Sequence, residues 1–220
     1  MNSSTAVRKG SSQRTLVRRI ARWLDASPHP LLACEISSAR VAAARWSRGG
    51  AVLEDFAVEP LPPGAVVPSA VEPNVANAGA ARAAVANIFS RLKAAAQEVA
   101  LLVPDPVIRV FVQHFEEFPR SPSEAIPMLR WKLKKSVPFD ADETVVSYMR
   151  QPSRDAGVDI VTGLARQRIV REYEALVDAA GMLPGVVLSS SLAAVALLDD
   201  ERPTLMARLS GSTLTTAIVR

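Results

Sequence analysis

The body of this chain opens with three consecutive strand-like segments and no helix between them, an order that few α/β designs share. Residues 31–36 (LLACEI) are apolar but for Glu35, the mark of a central, buried strand. Residues 39–46 (ARVAAARW) return after Ser37-Ser38, and residues 51–58 (AVLEDFAV) alternate after a Gly49-Gly50 turn. A dinucleotide-binding unit instead starts strand–helix–strand around a glycine-rich turn. Neither GxGxxG nor GxxxxGK[ST] occurs in the 220 residues, so dinucleotide and P-loop readings fail on sequence.

Residues 59–75 carry five prolines and predict an irregular crossover. Residues 78–97 are alanine-rich, with Val85, Ile88, Phe89 and Leu92 at helical spacing. Residues 99–104 and 108–115 read as strands. Within residues 119–139, Ser121 or Ser123 can cap a helix and Glu124 suits its first turn. Met128, Leu129, Trp131, Leu133 and Val137 supply its apolar content, Pro127 starts or kinks it, and Pro138 stops it. Strands at 143–149 and 158–165 flank a turn, a helix spans 167–180 up to Gly181, and a strand (184–189) leads to a small-residue helix (190–198). Residues 204–210 and 213–220 form a strand pair around Ser210-Gly211-Ser212. The sum is β-β-β-α-β, an inserted β-α-β-β unit, then α-β-α-β-β, which is an α/β fold.

Charge separates an arm from this body. Six basic residues against one acidic leave +5 on residues 1–25, and 20 against 21 leave −1 on the rest, within a net charge of +4. A nucleic-acid-binding domain carries its positive charge on the folded body, so no nucleic-acid partner is expected. On a helical wheel Leu16, Val17, Ile20, Trp23 and Leu24 gather opposite Arg14, Arg18, Arg19 and Arg22. Arg14, Arg18, Arg22 and Trp23 are therefore candidates for contact with an anionic membrane surface; docking on protein is the plainer alternative. His29 sits between two prolines in a stiff linker. No run of eighteen apolar residues lacks a charge, the N-terminus has no secretory apolar run, and the single cysteine, Cys34, forms no internal disulfide. These features fit a cytoplasmic protein.

A strand pair with small residues at its tip, a later pair around Ser-Gly-Ser and an insertion between them resemble the actin-like ATPase fold. Within it the chain is similar to the PilM family of type IV pilus assembly proteins. The resemblance rests on residues 61–67 (LPPGAVV), 99–111 (VALLVPDPVIRVF), 118–139 with Val137-Pro138-Phe139, 143–148 (ETVVSY) and 180–195 (AGMLPGVVLSSSLAAV). It implies an actin-like (ribonuclease H-like) lobe with an inserted β-α-β-β subdomain and a truncated second lobe. Residues 1–29 are then the arm and linker, 30–103 plus 166–200 subdomain 1A, 104–165 subdomain 1C, and 203–220 the start of the second lobe. Members of the family are longer, and their adenosine-binding elements fall outside these residues.

The resemblance also implies a phosphate site between the two hairpins: Glu35, Ser37 and Ser38 on one, and Ser210, Gly211, Ser212 and Thr213 on the other. The family pattern places an acid on each hairpin to hold magnesium through water. Glu35 stands in for the aspartate of the first and Ser37 for its glycine, while Arg208 or Leu209 falls at the acid of the second. The expectation is no catalytic residue, no metal ligand set and little or no hydrolysis, with bound ATP and magnesium as the alternative; the serines then simply close tight turns. A PilN-like membrane protein is the implied partner, its N-terminal tail lying in a groove between 1A and 1C lined by Val110, Val112, Leu129, Trp131, Leu133 and Phe139. The plainer reading makes most of these the core of 1C, with Trp131 the one most exposed. Other inner-membrane pilus components, and self-association into a ring, complete the implied setting, peripheral to the inner membrane. The same fold would serve a GspL-like cytoplasmic domain of type II secretion. An active actin-like ATPase would need acids on both hairpins. Asp140, Asp142 and Glu143 read as solvated, His114 has no converging metal ligands, and Cys34 reads as a small buried hydrophobe.

Overall fold

The computed structural model of the protein describes residues 30–47, 52–94, 97–153, 156–198 and 203–219. The basic arm with Arg14, Arg18, Arg22 and Trp23, and the Gly49-Gly50 turn, lie outside the described residues.

Three strands, β1 (Leu32–Ile36), β2 (Arg40–Trp46) and β3 (Leu53–Pro60), form an antiparallel meander. Strand β4 (Glu98–Val103) then pairs parallel to β1, and β8 (Leu183–Ser189) parallel to β4, giving the order β3-β2-β1-β4-β8. Helix α1 (Ala78–Arg91) makes the crossover from β3 to β4, and α3 (Gln167–Asp178) leads into β8. The Asn77 side chain accepts the Ala80 N–H at the start of α1 at 3.0 Å.

Alternation along the strands builds the core. Leu32, Cys34 and Ile36 of β1 are fully buried on one face, in register with Val99 and Leu101 of β4. They pack against Val85, Ile88 and Phe89 of α1 and Ile169, Tyr173 and Val177 of α3. Each such side chain removed from water contributes roughly 1.5–3 kcal/mol. On the opposite face β1 and β2 carry Ala33, Glu35, Ala42 and Ala44, flanked by Phe56 and Val58 of β3 and Leu102 of β4. The proline-rich crossover is irregular but pinned. Glu172 of α3 accepts the N–H groups of Asn74 and Val75 at 2.6 and 3.0 Å, and the buried Asn74 side chain accepts the Tyr173 hydroxyl at 2.9 Å.

Between β4 and α3 the chain forms a second layer pair. Strands β5 (Arg109–Phe115), β6 (Thr144–Pro152) and β7 (Val158–Arg166) make an antiparallel sheet in the order β5-β7-β6, with β7 central. Helix α2 (Pro122–Leu133) covers one face, where Leu129 meets Phe115 and Ile160. The helix runs through Pro127. The carbonyl that loses its helical donor belongs to Ser123, an exposed residue. Ser121 occupies the cap position, but its hydroxyl bonds that of Ser123 at 2.5 Å in place of a backbone N–H. After β8 come α4 (Ser190–Val195) and a two-stranded antiparallel sheet of β9 (Thr204–Ser210) and β10 (Thr213–Val219). No described helix is long and apolar enough to cross a membrane.

Candidate functional site

The β1–β2 turn and the β9–β10 turn belong to different sheets yet meet tip to tip. Gly211 holds a φ of +58°, and a Cβ there would stand 3.1 Å from the Ser38 hydroxyl. Beside this contact opens a cleft of about 270 Å³ bounded by Ser38, Gly64, Pro104, Asp105, Ser212 and Thr213, with Ser210 also on its wall. Ser37 turns away from the cleft: its hydroxyl donates to the Arg40 carbonyl at 2.9 Å and accepts the Arg40 N–H at 3.1 Å, closing its own turn.

Asp105, on the wall of the cleft, belongs to an ion cluster. Arg208 of β9 donates to Glu35 of β1 at 2.5 Å and lies 3.7 Å from Asp105. Asp105 opens a short 3-10 turn after β4. It accepts the Ser191 N–H at 2.9 Å, the Ser191 hydroxyl at 2.5 Å and the Thr215 hydroxyl at 2.6 Å. Partial burial raises its pKa, but the hydrogen bonds from Ser191 and Thr215 outweigh this and hold the carboxyl below its ordinary range. The sequence reading missed Asp105, because Val-Pro-Asp-Pro looks like a strand ending in a turn. The signal was there in principle: a lone acid at the carboxyl end of a buried parallel strand.

A hydrated magnesium ion needs carboxylate oxygens free to accept from its waters. Here the bonded Glu35 oxygen is taken by Arg208, and both Asp105 oxygens already accept from Ser191, one of them also from Thr215. A fixed guanidinium stands among them. The guanidinium thus supplies the positive charge between the two acids.

The small sheet presents a different surface. Its face away from α2 carries Val110 and Val112 of β5, Val161 of β7 and Val145 and Met149 of β6. Val112 is 70% exposed, and Val110 and Val145 are also open to water. The β5 edge has no strand partner on its outer side among the described residues. Gly163 lies in the middle of this face, where a Cβ would stand 3.5 Å from Ile108. Ile108 in turn packs on the core of the larger sheet, so the bare face adjoins the first lobe.

With this geometry in hand, known structures can be compared. One belongs to a PilM–PilN type IV pilus biogenesis complex, with a TM-score of 0.69 and 18% identity, covering 88% of this chain and 62% of that one. Another is the cytoplasmic domain of EpsL, an inner membrane component of the type II secretion system of Vibrio cholerae. There the TM-score is 0.53 and the identity 16%, over 85% of this chain and 70% of that domain. The fold is actin-like. The chain thus spans less than two thirds of the first of these neighbours. No family model and no curated protein sequence matches it.

The six residues expected to line one groove are split among separate surfaces. Val110 and Val112 lie on the open sheet face. Leu129 and Leu133 are buried beneath α2, so they are core and not lining. Trp131 projects from the outer side of α2, 79% exposed, beside Pro127, Arg130, Lys134 and Asp142. Phe139 is half-buried past the end of the helix. Helical spacing explains the split: Trp131 stands about 200° around the helix from Leu129. A single run of apolar letters therefore hides two opposite faces.

Proposed function

We propose that this chain is a non-catalytic, actin-like scaffold at the cytoplasmic face of an inner membrane, where it captures the N-terminal tail of a PilN-like bitopic protein. The observation that carries the reading is the apolar face of the small sheet, with Val110 and Val112 in water along a β5 edge that has no strand partner among the described residues, and Val145 exposed on the far strand of the same face. An extended peptide laid along such an edge gains backbone hydrogen bonds and sets alternate side chains on the valines. The likeness to a PilM–PilN complex supports that choice of partner. Other pilus inner-membrane components and copies of the chain itself are the further partners of this reading. Absence of hydrolysis is part of the proposal. ATP chemistry needs a metal and a positioned water, and the acids of the ion cluster are engaged by protein donors.

The EpsL likeness supports a second reading, a cytoplasmic domain of a type II secretion platform. Tail peptides from the two systems discriminate between them. Titrated against the chain, the PilN-like tail should bind, and Val112→Asp should weaken it tenfold or more, about 1.4 kcal/mol. Equal affinity of wild type and Val112→Asp would remove the sheet face from the interface. Selective binding of the type II peptide would move the assignment to the second reading.

A further inference from the structure

The ion cluster beside the cleft also joins two parts of the fold. Arg208 and Thr215 are directly opposed across the β9–β10 hairpin, so both side chains leave the same face. Both end on the first lobe: Arg208 on Glu35 and Asp105, Thr215 on Asp105. Asp105 is itself anchored by the first residues of α4 through both Ser191 donors. The three charged side chains are 24%, 20% and 13% exposed for Arg208, Glu35 and Asp105, partly shielded from water. The opposite face of the hairpin carries Leu205, Leu209, Leu214 and Ile218, all between 64% and 73% exposed. The inner face adds Met206, Ala217 and the buried Val219 to these polar contacts, so a short apolar strip and the ion cluster together attach the hairpin to the first lobe. A two-stranded ribbon is marginal by itself in water.

We propose that Arg208 is a built-in latch: by bridging Glu35 and Asp105 it holds the β9–β10 hairpin against the first lobe in the role a bound metal–nucleotide would otherwise play. A guanidinium suits this task because its planar fork reaches two carboxylates at once and it never loses its charge. Removing it leaves the two acids of the first lobe side by side without their shared counter-charge. The latch is independent of which partner docks on the small sheet, since none of its residues lies there.

Hydrogen exchange on the full chain tests the latch. In Arg208→Met the amides of β9 and β10 should exchange about tenfold faster or more, while β1 and β4 keep their protection. The reversed pair Glu35→Arg with Arg208→Glu should recover part of the lost protection relative to either single change. Magnesium-ATP added to the wild-type chain should leave hairpin exchange unchanged. The latch is wrong if Arg208→Met leaves the hairpin as protected as before, if the reversed pair recovers nothing, or if magnesium-ATP slows hairpin exchange. Should Arg208→Met fail to fold, Arg208→Lys keeps the charge without the two-armed reach, and it should give an intermediate rate; wild-type protection in that variant would count against the bridge.

Discussion

Single residues decide the chemistry of this molecule, and their roles were unevenly readable. Glu35 was found from its place on the first hairpin, and Arg208 stood out as the wrong charge for an acid position. Their pairing was invisible, because 173 residues separate them and no local pattern links such distant positions. Asp105 illustrates the same blindness. It also has a consequence for acid stability. Its folded pKa lies below the ordinary 3.8, so the ionised carboxylate stabilises the fold. That contribution is complete above pH 3.8 and is lost as pH falls from there through the lower folded value. Asp105→Asn should cost about 1–3 kcal/mol at neutral pH. In melting curves the gap between wild type and Asp105→Asn should narrow once pH drops through that window; a gap constant with pH would contradict the role. Cys34 behaves as its apolar surroundings demand. Burial above all, with Glu35 beside it, pushes the thiol up to about 12, so it is a core methyl-sized group and not a nucleophile.

At the scale of elements the sequence was far more legible. Among the described residues, the ten strands and four α-helices fall where apolar periodicity places them, because each element buries one face and its period is local. Ends were less sharp. Helix α1 stops at Arg91, where Lys93 takes a φ of +49° to turn the chain, several residues before the alanine-rich run ends. Faces were the real difficulty. On α2 the letters Met128 to Leu133 are mostly apolar, yet only one side of the helix finds the sheet. The energetic contrast is large. Leu129→Ala should cost about 2–5 kcal/mol, since it opens a cavity under the helix. Trp131→Ala should change stability by no more than about 0.5 kcal/mol, since its ring is already in water. Denaturant titration of the two variants checks this, and a costly Trp131→Ala would mean that the indole is covered in solution.

For the whole molecule, the order of elements carried the fold class. Three leading strands, a crossover helix and a late second hairpin leave few arrangements once parallel pairing and handed crossovers are imposed. What order alone could not supply is the meeting of the two hairpin tips, which depends on Gly211 allowing Ser38 to approach and on the Arg208 bridge. The same closure bears on cofactor use. Calorimetry with ATP and magnesium should show no binding at protein concentrations where a micromolar ligand saturates. A micromolar dissociation constant would mean that the ion cluster rearranges to admit the nucleotide.

The hairpin's other side has a practical corollary. Leu205, Leu209, Leu214 and Ile218 make a second oily plate, apart from the valine face of the small sheet. Preparations of these residues will cling to phenyl resins and to air–water boundaries. Mild detergent, and not a shift of pH, is what will keep them dispersed, because none of the four side chains ionises.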